Sequence, residues 1–355
     1  MRIRGRTLSA LLLATALGVS ALSANAVGAA DAATAAAPHA GHAMTAAALP
    51  SGDDPDGDGY IPADPPVTGV TPSQEVPPPA YHHEFQAGCS VTHTAPDDPI
   101  VYPDRPGASH DHTFMGNTST DASSTTGSLY GGSTTCKAPA DASAYWMPSL
   151  YKGDRKVLPV GPQVIYYKAG VTDYRSVRPF PRGLRFVVGS PTQSAQEFRG
   201  HKGFVEGWEC GDSFFNVDFP ASCPERPDVQ LNIRFQAPSC WNGRYLDTPD
   251  HKSHLAYPVV KPGTNDNMCP ASHPVALPMI EFKMAWPVNG DMSQVTLSSG
   301  RGYSFHYDFF NAWEERTLKA LVDHCINGGL QCDTRGFDLY HPERGTVLDA
   351  DHRLP

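Results

Sequence analysis

Long apolar runs are missing from this chain after its first residues, and so is any excess of basic charge. The one sustained apolar stretch, residues 11–21, is too short to cross a bilayer comfortably. Lysine and arginine number 27 against 37 aspartates and glutamates, which argues against nucleic acid or an anionic membrane surface as a partner. No Cys-x-x-Cys pair occurs, so a zinc ribbon or a thioredoxin-like redox site has no motif to stand on. Gly-x-Ser-x-Gly, His-Glu-x-x-His, Walker and dinucleotide signatures are absent as well. Charge is sparse while glycine (32) and proline (34) are abundant, which is the composition of a loop-rich β protein rather than a helical one.

What is present begins with an export pattern. Arg2, Arg4 and Arg6 precede the apolar stretch, and Ala24-Asn25-Ala26 puts small residues at the usual cleavage positions. Residues 1–26 therefore read as a secretory signal peptide, and the protein is expected to be secreted, soluble and monomeric. All eight cysteines follow this segment, and an even count in an exported chain favours disulfides. Joining neighbours in sequence pairs Cys89 with Cys136, Cys210 with Cys223, Cys240 with Cys269, and Cys325 with Cys332. Gly328 and Gly329 give the last pair a chain free to turn back. Residues 27–80, rich first in alanine and then in aspartate, proline and glycine, read as a disordered linker, leaving 81–355 as one disulfide-braced globular domain. Within the linker, Asp54-Pro55-Asp56-Gly57-Asp58-Gly59 resembles the start of a calcium loop, but its twelfth position is Pro65 rather than glutamate. His39 and His42 are a weak copper motif in the same segment.

From Tyr81 onward, short β-like runs alternate with turns: residues 163–169, 184–188, 229–235, 279–286 and 294–297 are rich in β-branched and aromatic side chains. One helix is expected late in the chain. Phe310, Trp313, Leu318, Leu321, Val322 and Cys325 share a helical face, Asn311 and Glu314 form a plausible N-cap pair, and Asn327-Gly328-Gly329 supplies the stop. The expected fold is mainly β, a β-sandwich or jelly-roll-like single domain with many loops and one C-terminal amphipathic helix.

Three polar clusters could carry chemistry. In Ser109-His110-Asp111-His112, an extended chain puts both imidazoles on one face. They could bind a metal, move protons or contact substrate, or they could be surface residues of a loop. In Asp250-His251-Lys252-Ser253-His254, a carboxylate stands beside two imidazoles between Pro249 and Pro258, with Tyr257 close by. In His306-Tyr307-Asp308, imidazole and carboxylate again share a face just ahead of the helix, although Asp308 could equally satisfy free amides at the helix start. Tyr145 and Trp146 could offer an aromatic platform.

The strings from Ser109 to Asn117, Ser239-Cys240-Trp241-Asn242-Gly243 with Leu246 to Pro258, and Gly302 to Trp313 resemble the motifs of the secreted domain-of-unknown-function family DUF1996. Asp98-Pro99-Ile100-Val101 and Ala144-Tyr145-Trp146 with Pro148 fit it too. The resemblance covers about residues 81–325. It implies an extracellular role facing a polysaccharide or cell-wall glycan, and no established reaction. The leading expectation is accordingly an enzyme acting on a polysaccharide, with His110, Asp250, His254, Tyr257, His306 and Asp308 as catalytic groups and Asn117, Tyr145, Trp146 and Lys252 contacting substrate. Glycoside hydrolysis, with Asp250 and Asp308 as the carboxyl pair, is favoured over β-elimination from a uronate by a histidine with Tyr257 or Tyr303 as acid. The alternative is a module without catalysis. It would either bind copper or zinc through His110, His112, His251, His254 and His306 or attach to a cell-wall carbohydrate.

Overall fold

Alternation is clearest in strands that are wet on one face. Gln163–Ala169, Leu231–Gln236 and much of Pro278–Trp286 bury every second side chain, the pattern of a sheet with one face on the core. A computed structural model, which describes residues 52–355, assembles these into a seven-stranded sheet. Its order is Ser213–Asn216, Phe204–Cys210, Leu231–Gln236, Pro278–Trp286, Gln163–Ala169, Glu84–Cys89 and Gln331–Cys332. All neighbours are antiparallel except the last pair. The signal peptide and the His39–His42 motif lie outside the described residues.

A second sheet has five antiparallel strands in the order Val91–Ala95, His112–Gly116, Ala144–Pro148, His306–Phe310 and Arg185–Gly189. The three central strands and Arg185–Gly189 are buried at every residue, because both faces of this sheet are covered. Its inner face packs on the seven-stranded sheet: the rings of Tyr307 and Phe282 stack at 3.9 Å, and Tyr145 lies 6.1 Å from Phe282. Its outer face carries a second, smaller core of Phe114, Trp146, Val187 and Phe310 beneath loops that include Ile100. The fold is thus a mainly β sandwich with an extra layer of loop on one side.

The late helix runs over Glu315–Leu321 and continues as a wide turn through Val322–Ile326. It starts later than the sequence pattern predicts. Phe310 is held in a strand bonded on both sides, and Glu314, not Asn311, caps the helix by accepting from Arg316 and Thr317 amides. Asn311 instead donates to the Pro181 carbonyl at 2.8 Å. All four expected disulfides are present. No helix of the described residues is long and apolar enough to cross a membrane.

Residues 52–80, which composition presents as a flexible spacer, lie along the domain. Ile61 and Pro62 pair with Tyr245–Asp247, and the Ala63 and Val67 amides donate to the carbonyls of Arg244 and Gly243 at 2.8 Å each. Asp53 meets the buried guanidinium of Arg185 at 2.5 Å. The chain is fixed here by backbone bonds to a distant loop, which local composition does not encode.

Candidate metal centre

The outer face of the five-stranded sheet is polar at one end. In the fourth strand, His306–Phe310, His306 and Asp308 point to that face, as their two-residue spacing requires. Asp308 stands opposite Trp146, which stands opposite Phe114. One rung further along, His112 stands opposite Pro148, so His112 and His306 flank a residue with no long side chain between them. The loop preceding His112 folds back over this end and brings His110 and Asp98 down onto it. Ring centroids are 4.3 Å apart for His110 and His112, 5.0 Å for His110 and His306, and 5.8 Å for His112 and His306.

Donor atoms of His110, His112 and His306 lie within 4.8 Å of one another, and so do those of Asp98, His112 and Asp308. Two of the imidazoles have their tautomers set from behind. Nδ1 of His112 is 2.9 Å from the Asp97 carbonyl, and Nδ1 of His306 is 2.9 Å from the Ser304 carbonyl. A carbonyl can only accept, so Nδ1 carries the proton and Nε2 of each neutral ring keeps its lone pair, the arrangement that orients imidazole toward a metal. Asp98, His112, His306 and Asp308 are each 2 % exposed or less. His110 is half-buried and forms the outward side of the group.

Asp308 is the unusual member. Among the described residues, neither of its carboxylate oxygens has a hydrogen-bond partner. Burial pushes its carboxyl well above the usual range, the neighbouring Asp98 adds to the effect, and Lys252 opposes it. A buried carboxylate without hydrogen bonds is unfavourable unless it keeps a proton or meets a cation. Asp98 is raised to about 6 by burial, although its Oδ1 accepts from the Ile100 and Val101 amides at 3.0 and 2.9 Å. Lys252 donates to the Gly189 carbonyl at 2.7 Å, beside His306 in the sheet. Gly189 itself must be glycine: its φ is +84°, and a Cβ there would lie 2.7 Å from the Phe305 oxygen.

The other expected site residues serve elsewhere. Both nitrogens of His254 are engaged, Nδ1 with Thr248 at 3.0 Å and Nε2 with the Arg185 carbonyl at 2.9 Å. Asp250 accepts from the Thr248 hydroxyl and the Lys252 and Ser253 amides at 2.9, 3.2 and 2.9 Å. Burial works against its charge, but these bonds hold it down at about 2. His251 is 3.0 Å from Asp247, and Tyr257 donates to the Gln236 carbonyl at 2.7 Å. Asn117 is a scaffold residue whose amide donates to the Leu129 and Ala142 carbonyls at 3.0 and 2.9 Å. Tyr145 and Trp146, expected as an aromatic platform, are fully buried on opposite faces of their strand. Tyr145 bonds Asp141 at 2.8 Å and Trp146 lies 5.5 Å from Phe114. The sequence thus brings His110, His112, His306, Asp308 and Lys252 to one place, while Asp98 joins them unannounced.

The match to known families spans this whole assembly. Residues 98–313 match the family described as Domain of unknown function (DUF1996). The chain belongs to that family. The matched DUF1996 segment opens on Asp98 and ends on Trp313, so every member of the cluster falls inside it. No curated protein and no solved structure matches the chain.

Proposed function

We propose that this DUF1996 protein is a secreted transition-metal-binding module, with the ion held by His112, His306 and His110 and by the carboxylates of Asp308 and Asp98. The observation that carries the reading is Asp308: a carboxylate with no exposure and, among the described residues, no hydrogen-bond partner, grouped with Asp98 and His112, the latter shared with His110 and His306. A cation in that group would supply the charge the fold leaves uncompensated. The donor chemistry favours zinc or copper over calcium or magnesium, because imidazole suits the former and the latter prefer an all-oxygen shell. Thiolate ligation plays no part, since all eight cysteines are paired.

The glycoside-cleaving reading needs two carboxyl groups open to a sugar. Asp308 is closed off and Asp250 is committed to its turn, which favours binding over cleavage. An extracellular glycan remains the surface we propose the module meets. The test is thermal unfolding of metal-stripped protein with and without zinc. At a free concentration 100-fold above Kd, the ion adds about 2.7 kcal/mol of stability, a rise of several degrees in Tm. Asp308→Asn is expected to lose most of that rise while still folding. An equal rise in both proteins would contradict the assignment.

A further inference from the structure

The two most exposed aromatic rings are far apart in the chain and meet in the fold. Among the described residues, Tyr81 at 95 % and Tyr340 at 72 % are more exposed than any other large aromatic side chain. Both line one cavity of about 380 Å³, beside His82, His341, Gln331 and Asp338. Leaving two such rings in water forgoes the burial that aromatic side chains ordinarily gain. Their meeting at one concave place calls for an occupant.

The frame under the rings is fixed. Just downstream of Tyr81, Glu84 and Phe85 pair in parallel with Gln331 and Cys332, and the Glu84 amide donates to the Leu330 carbonyl at 2.8 Å. Asp338 is buried, and its two oxygens accept from the amides of Gln331 at 2.9 Å and Tyr340 at 2.7 Å. The Cys325–Cys332 disulfide ties this strand to the wide turn after the late helix. A base built this way leaves little to be ordered when a ligand arrives.

The lining indicates the class of ligand. Each tyrosine offers a flat apolar ring with a hydroxyl at its tip, suited to the C–H face of a pyranose and the hydroxyls around its rim. His82, His341 and Gln331 add groups that can donate or accept, whereas Asp338 is committed to the backbone. No lysine or arginine lines the cavity, so no fixed cation is there to meet a uronate or a phosphate. The volume falls within the roughly 300–1,000 Å³ of small-molecule sites. The few residues around it are far short of the roughly 20–30 that a stable protein partner covers on each side.

We infer that Tyr81 and Tyr340 form a binding site for a neutral polysaccharide, whose sugar rings stack on the two tyrosines at the edge of the seven-stranded sheet. The site rests on the glycan part of the reading above and needs no metal. It is built from chain outside residues 98–313, the segment that matches DUF1996, and so belongs to the flanks of that domain.

The test is co-sedimentation of the full protein with insoluble cellulose, chitin and β-1,3-glucan, with cross-linked polygalacturonate as the acidic comparison. The wild type is expected to bind a neutral polymer in preference to the acidic one. Tyr81→Ala and Tyr340→Ala are each expected to weaken that binding about tenfold, through loss of one stacked ring. Both positions are exposed, and an unchanged urea midpoint checks that each variant keeps its fold. Phe214→Ala removes an exposed ring from the strand at the opposite edge of the same sheet, Ser213–Asn216, and is expected to bind like the wild type. Wild-type binding in both tyrosine variants, or an equal loss in Phe214→Ala, would overturn the site and leave the glycan reading standing. Binding to polygalacturonate alone would overturn the neutral ligand and the site with it. Failure of the wild type to bind any polymer would remove the glycan reading and the site together, while zinc uptake by the same samples reports separately on the metal.

Discussion

At the scale of single residues, the buried carboxyls make the most specific statements. Asp141 lies in the main core, accepts from Tyr145 and Ser143, and is raised to about 7 by burial against those bonds. Folded protein therefore holds this proton across a range in which the unfolded chain, at about 4 for aspartate, has released it. The unfolded state binds fewer protons there, so stability falls as pH rises from about 4 to about 7. Three pH units correspond to about 4 kcal/mol. Asp141→Asn, which carries no charge at any pH, is expected to flatten this part of the profile, as read by urea unfolding at pH 5 and pH 8. An unchanged slope would mean that the carboxyl is ionised in the fold. His306 and Asp308 show how far a residue-level reading reached: a two-residue spacing placed them on one face correctly. Asp98 fits a family motif but carried no donor reading, because it lies twelve residues before His110 in the same loop and no local period connects the two.

Among elements, legibility followed solvent. Gln163–Ala169 and Leu231–Gln236 alternate because one face is wet, and the sequence pattern found them. His112–Gly116 and Ala144–Pro148 are buried on both faces, so they carry no period to read, and the former holds one of the candidate donors. The late helix was recognised but started early, because Phe310 fits a helical face as well as a strand. Residues 52–80 were the largest departure. Arg185 illustrates what they contribute: the guanidinium is 3 % exposed, stands 3.8 Å above the Phe310 ring and has Asp53 as its ion-pair partner. Asp53→Ala leaves that charge buried, which is expected to cost about 3 kcal/mol. The urea midpoint should fall with an unchanged m-value, whereas a wild-type midpoint would show that the segment is a passive cover.

For the whole molecule, two packed sheets, four disulfides and an outer layer of loops form one frame. The neighbour-to-neighbour cystine pairing read from the sequence matches the structure, and each link closes a loop: Cys89 to Cys136 joins the strand Glu84–Cys89 to the segment beyond His112, and Cys240 to Cys269 ties the region that carries His251. Such bracing suits a site whose donors come from separate parts of the chain, because ligands about 2 Å from an ion tolerate little drift. The membership in DUF1996 and the position of the cluster inside the matched residues make the centre a property of the domain rather than of its flanks. The most direct measurement is elemental analysis of the full protein purified without chelators, alongside Asp308→Asn. The account predicts one zinc or copper per chain in the wild type and a large loss in the variant. Less than a tenth of an equivalent in the wild type, with no uptake after zinc or copper is added back, would contradict it.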